Sequence, residues 1–132
     1  MTPNKIMVVD DNSATRRMVR TALMRNGHVV IEAADGRSAR ELIQRERPRV
    51  VLQDLMLPDV DGFELSSRLR QDPATSGIPI WLTAPGGMAQ EAKERLNGDV
   101  QGVLAKGDDA LDALRGWLQN GHRPAAASEL QA

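Results

Sequence analysis

Short apolar runs alternate along this chain with segments in which apolar residues recur every three or four positions. Lys5 to Val9 reads as a first strand, and Met18, Val19, Ala22 and Leu23 share one face of the helix that follows. Asp11, Asn12 or Ser13 can cap that helix, and Asn26-Gly27 ends it. His28 to Ala33 is a second strand. Asp35-Gly36 opens a second helix with Ala39, Leu42 and Ile43 as its buried stripe. Pro48 limits it, because the residue before a proline is pushed out of helical geometry. Arg49 to Asp54 is nearly all apolar, as a central strand covered on both faces should be. After a loop over Pro58 to Gly62, Phe63, Leu65 and Leu69 mark a third helix that stops at Asp72-Pro73. Ile78 to Thr83 and Val100 to Lys106 are the predicted fourth and fifth strands. Between them Pro85-Gly86-Gly87 starts a helix poorly, and Met88, Ala92 and Leu96 give it only a thin apolar stripe. That helix is expected to be short or mobile. Asp108 or Asp109 is expected to cap a last helix with Ala110, Leu111, Leu114, Trp117 and Leu118 on one face. The alternation predicts an α/β fold, a parallel sheet with helices on both faces.

A length of 132 residues suits one domain with one core. The domain is expected over 1–120, with 121–132, small and polar from Gly121 onward, as a flexible tail or linker. A net charge of −1 provides no global basic footprint, so no direct nucleic-acid contact is expected. The lack of cysteine excludes disulfides and zinc-thiolate sites. With Phe63, Trp81 and Trp117 as the only aromatic residues, base-stacking recognition of single strands has little to work with. No signal pattern opens the chain and no apolar run reaches membrane length. The expectation is a cytoplasmic protein without membrane contact.

The ends of the apolar runs change this picture. Val9 is followed by Asp10 and Asp11, Leu52 is followed by Gln53 and Asp54, Leu82 by Thr83 and Ala105 by Lys106. In a parallel sheet these ends share one edge, where ligands of such folds bind. Two like charges about 4 Å apart repel by roughly 4 kcal/mol at an effective dielectric near 20, so three carboxylates need a cation among them. Oxygen ligands with little else favour magnesium over softer metals. Lys106 adds positive charge suited to an incoming phosphoryl group, and the Thr83 hydroxyl can donate to it. A carboxylate can serve as the nucleophile and form an acyl phosphate. Taken alone, Asp10-Asp11 is as readily a helix cap plus a solvated charge. Asp59 and Asp61 read as turn-shaping residues, and Arg16, Arg17, Arg20 and Arg25 as a solvated basic face.

The set Val8-Val9-Asp10-Asp11, Asp54 with Leu57-Pro58-Asp59-Val60-Asp61-Gly62, Leu82-Thr83-Ala84 and Lys106 resembles a receiver domain of two-component response regulators. The resemblance covers about Lys5 to Leu118. It implies a flavodoxin-like, doubly wound five-stranded parallel sheet in the order 2-1-3-4-5. It also implies Asp54 as phosphate acceptor, Asp11 as a direct magnesium ligand, Asp10 acting through metal-bound water, and the Met56 backbone carbonyl as a further ligand. Lys106 and Thr83 would contact the phosphoryl group. A histidine kinase or phosphotransfer protein would supply it, and an unidentified downstream protein would read it. No catalysis is implied beyond the domain's own phosphorylation and dephosphorylation, and a monomer or weak dimer is expected.

The chain departs from the family at four places. Val103 stands where an aromatic ring usually swings, and Gly107 replaces a usual cis-proline. A cis bond without proline costs about 2.5–4 kcal/mol, so a trans bond is expected there. Met56 and Pro85 stand where side chains often orient an attacking water, and neither can do so, which predicts slow loss of phosphate. Val103, Gly107 and the Gly86-Gly87 pair support one alternative, a pseudo-receiver acting as a constitutive interaction module with an uncoupled switch. An aspartate-nucleophile phosphohydrolase fits less well, since that class separates its two acids by one residue. A nucleotide fold lacks its glycine pattern.

Overall fold

The computed structural model describes residues 4–120. Its elements are β1 (Lys5–Val9), α1 (Ser13–Arg25), β2 (Val29–Ala33), α2 (Gly36–Glu46), β3 (Val50–Asp54), α3 (Gly62–Gln71), β4 (Ile80–Ala84), α4 (Gly86–Glu94), β5 (Gly102–Ala105) and α5 (Asp108–Gln119). The five strands are all parallel and lie in the order β2-β1-β3-β4-β5. The expected tail at 121–132 lies outside the described residues, and among them no helix is long and apolar enough to cross a membrane.

Strand alternation divides the core. Ile6, Val8, Val50 and Leu52 point to one face, where Val19 and Leu23 of α1 and Leu111, Leu114 and Leu118 of α5 cover them. Met7, Val9, Val51, Ile80 and Leu82 point to the other, against Ala39 and Ile43 of α2, Leu65 and Leu69 of α3, and Ala89 and Ala92 of α4. β3 is buried throughout, as its apolar run predicts. Trp81 and Trp117 pack edge to face on the α1/α5 side, with ring centroids 6.1 Å apart.

Element ends follow local chemistry. Asn12, of the three candidates, caps α1 by accepting from the Thr15 amide at 3.0 Å. Asp35 caps α2, and Arg47 closes it in the left-handed region at φ 46°, displaced from helical geometry by Pro48. Asp61 caps α3. Three expectations need correction. Met18 is 51% exposed, because the buried face of α1 narrows to Val19 and Leu23 with Ala22 beside them. Leu96 lies exposed beyond the end of α4, whose inner face is Ala89 and Ala92 with Met88 partly buried. The α5 helix starts one or two residues earlier than expected, placing Gly107 at the cap position and both Asp108 and Asp109 inside the helix. The strand ends differ by one or two residues from the apolar runs, but Gln101 and Lys106 still donate to Ile80 and Ala84 across the β4–β5 ladder. With nine residues, α4 is the shortest of the helices, as its composition predicts.

Candidate functional site

Parallel register assembles the carboxyl edge. Val9 pairs with Gln53 and Asp54 pairs with Thr83, which brings Asp10, Asp54 and Thr83 side by side. Ala84 pairs with Ala105, so Lys106 leaves β5 at the same level. Its ammonium lies 3.0 Å from Asp10 Oδ2 and 3.0 Å from Asp54 Oδ2. The second oxygens are held as well: Asp10 Oδ1 accepts from the Asn12 amide at 2.9 Å, and Asp54 Oδ1 from the Met56 amide at 3.2 Å. Asp10 and Asp54 are buried, whereas Asp11 is exposed. One oxygen from each of the three converges within 4.8 Å. Hard, charged oxygen donors at that spacing fit a magnesium ion.

Burial pushes the Asp54 carboxyl above its ordinary pKa; the Lys106 and Met56 hydrogen bonds offset part of this, and the Asp10 charge adds to it. Burial opposes the charge on Lys106, but its bonds to Asp10 and Asp54 prevail and raise its pKa. Thr83 is buried and lines, with Asp10, Lys106 and Leu111, a cavity of about 270 Å³ between the sheet, α1 and α5. Gly62, at the start of α3, lies against the end of β3: a Cβ there would stand 2.9 Å from the Asp54 carbonyl oxygen and 2.9 Å from Leu55 Cα.

The departures have local causes. Every peptide bond of the described residues is trans, including that before Gly107. Gly107 itself has φ 135° and ψ −169°, a region open in practice only to glycine, so the turn after Lys106 is made by glycine freedom. Val103 is buried in the core on the α4 side. Asp59 and Asp61 act as turn and cap residues: Asp59 accepts from the Gly36 and Arg37 amides at 2.8 and 3.0 Å, closing the start of α2, and Asp61 accepts from Phe63.

Two residues at the site escape sequence reading. Arg16 does not belong to a solvated face: it donates to the Asp10 carbonyl at 2.6 Å and pairs with Glu32. Its place one turn beyond the α1 cap is the only sequence signal. Gln53 is buried next to Asp54 and donates to the Gly62 carbonyl at 2.9 Å and to Ser66 Oγ at 3.3 Å, pinning α3 to β3.

Residues 6–115 match the family described as the response regulator receiver domain. The probable transcriptional regulatory protein TcrX of Mycobacterium tuberculosis is 36% identical over 107 residues, covering 81% of this chain and 42% of that protein. An uncharacterized 14.6 kDa protein of Leptolyngbya boryana is 31% identical, with 83% of this chain and 84% of that protein covered. Among solved structures, the chemotaxis response regulator CheY4 of Vibrio cholerae superposes with a TM-score of 0.78 at 30% identity, covering 89% of this chain and 98% of that one. The chain spans about a third (34%) of the length of the ycf27 transcriptional regulators it resembles in Porphyridium aerugineum and Guillardia theta. The expectation of no direct nucleic-acid contact draws no support from these relatives, since one, of Synechocystis, is named as DNA-binding. With its strand order, its carboxyl edge and a match over most of its length, the chain belongs to the receiver domains of two-component response regulators.

Proposed function

We propose that the domain accepts a phosphoryl group on Asp54 from a histidine kinase or phosphotransfer protein and changes a protein contact as a result. The observation that carries this reading is the Lys106 ammonium 3.0 Å from both Asp10 and Asp54, with the three carboxylates converging beside it. One Asp54 oxygen attacks phosphorus, an O–P bond forms, and the P–N bond of a phosphohistidine breaks, with the electron pair and a proton going to the imidazole. Asp10, Asp11, Asp54 and the Met56 carbonyl would hold magnesium, which when bound supplies positive charge to the phosphoryl oxygens. Lys106 exchanges its Asp54 contact for a phosphoryl oxygen, and the Thr83 hydroxyl donates to another. The reaction is the domain's own modification and turns over no separate substrate.

Incubation with magnesium and a small phosphodonor such as acetyl phosphate tests the assignment. The wild-type chain should gain one acid-labile phosphoryl group, and Asp54→Asn none. Labelling of Asp54→Asn to the wild-type level would overturn it. The Met56 side chain is exposed and Pro85 has no donor, so neither orients an attacking water. The phosphorylated form should therefore persist for minutes or longer, and a lifetime of seconds would count against this part. The complete acidic cluster speaks against a constitutive interaction module.

A further inference from the structure

The last β1–β2 pair is Val9 with Ala33, and the Asp10 amide still donates to Ala33 at 3.1 Å. Past that point the strand bond is replaced by a side chain. Arg16 Nη1 donates to the Asp10 carbonyl at 2.6 Å, while its Nε donates to Glu32 Oε1 at 3.3 Å. Glu32 Oε2 accepts from Arg20 at 3.3 Å. The Arg16 side chain is only 19% exposed, so this is a sheltered contact and not a solvated ion pair.

The Asp10 carbonyl belongs to the peptide plane that joins Asp10 to Asp11. A planar guanidinium held at its other edge by Glu32 fixes the orientation of that plane. The Asp10 carboxylate is anchored independently by Lys106 and the Asn12 amide. Among the described residues the exposed Asp11 carboxylate accepts no hydrogen bond, so the direction it takes depends on the backbone that carries it. We propose that Arg16, braced by Glu32, is a positioning residue that aims Asp11 at the cation site, an inference that rests on reading the acidic cluster as a magnesium site. Partners that orient a metal ligand without touching the metal typically change affinity by 10- to 100-fold when removed.

Titration of the 132-residue chain with magnesium chloride, followed by amide NMR shifts around the acidic edge, tests this. Arg16→Met should weaken the apparent affinity by about tenfold. Arg20→Met makes the same change of charge and also removes a Glu32 partner, but spares the Asp10 carbonyl, and should stay within about twofold of wild type. Arg16→Lys keeps the charge without the fork and should remain weak. Wild-type affinity in Arg16→Met, equal weakening in Arg20→Met, or full recovery in Arg16→Lys would each overturn the inference. Should Arg16→Met fail to fold, Glu32→Gln decides: weakened binding supports the brace, and unchanged binding overturns it. Failure of the wild-type chain itself to bind magnesium would instead sink the reading of the cluster, a result distinguishable from all of these.

Discussion

The two ends of the carboxyl edge are built differently. At the acid end, Asp10 and Asp54 each have one oxygen on a backbone amide and the other on Lys106. The loops around them are tied down by Arg16, Gln53 and Asp59. At the other end, α4 begins at Pro85 without a side-chain cap and buries only Ala89 and Ala92. By contrast, α3 buries Phe63, Leu65 and Leu69. The α4 helix thus carries less buried apolar side-chain surface than α3. On the proposed reading, phosphoryl transfer is served by groups placed before the reaction, and the hydrogen bonds of the acid end place them.

The largest break in this contrast is Lys106→Met. It removes a cation that both buried carboxylates share, and labelling by acetyl phosphate should slow by more than about a hundredfold, as for loss of a single charge-stabilising donor elsewhere. A labelling rate within a factor of a few of wild type would mean the acid end does not depend on its preformed geometry.

A pair of identical substitutions should give opposite signs at the two ends. Gly62→Ala places a Cβ 2.9 Å from backbone atoms of Asp54 and Leu55 and should destabilise the fold by about 1–3 kcal/mol in urea. Gly87→Ala meets nothing within 4 Å in α4 and should stabilise by about 0.4–1 kcal/mol through the unfolded chain. Slower amide exchange in α4 should accompany the gain. Equal effects of either sign would remove the contrast.

Much of the acid end was legible because its residues sit at the ends of apolar runs, and parallel register alone aligns Asp10, Asp54, Thr83 and Lys106. Pro48 and the opening of α2 at Asp35-Gly36 are legible, and the α1 cap is narrowed to Asp11, Asn12 or Ser13, because these residues act within a few positions of themselves. What was not legible acts at a distance or through the backbone. Asp59 closes α2 from more than twenty residues away (Gly36 to Asp59 is a separation of 23), and Arg16 shows in sequence as a charge without the carbonyl it faces. The Asp108 or Asp109 cap failed because φ 135° at Gly107 sets the start of α5 by backbone geometry. Met18 failed because a period of three to four residues locates a buried stripe without giving its width.

The smallest of the expected effects concerns what the acid end costs in the absence of magnesium. Burial holds the Asp54 carboxyl above its ordinary value near 3.8, so the folded chain keeps that proton more tightly than the unfolded one. Stability from this group therefore falls as pH climbs from the unfolded value through the folded one. Lys106 works in another range: its raised pKa stabilises fully below the ordinary lysine value and is lost only as pH rises through the folded value. Asp35, with its carboxylate held down by the Ser38 hydroxyl, and Glu46, held down by Lys5, slope the opposite way from Asp54, but a difference between two proteins cancels them. Asp54→Asn keeps the Lys106–Asp10 pair and removes the buried charge. In chelator at pH 7 it should melt a few degrees, about 2–4 °C, above wild type, and that gain should shrink towards pH 4. A lower melting temperature for Asp54→Asn at pH 7 would mean that attraction to Lys106 outweighs burial. The acid end would then be rigid because its charges hold it together, and no longer in spite of them.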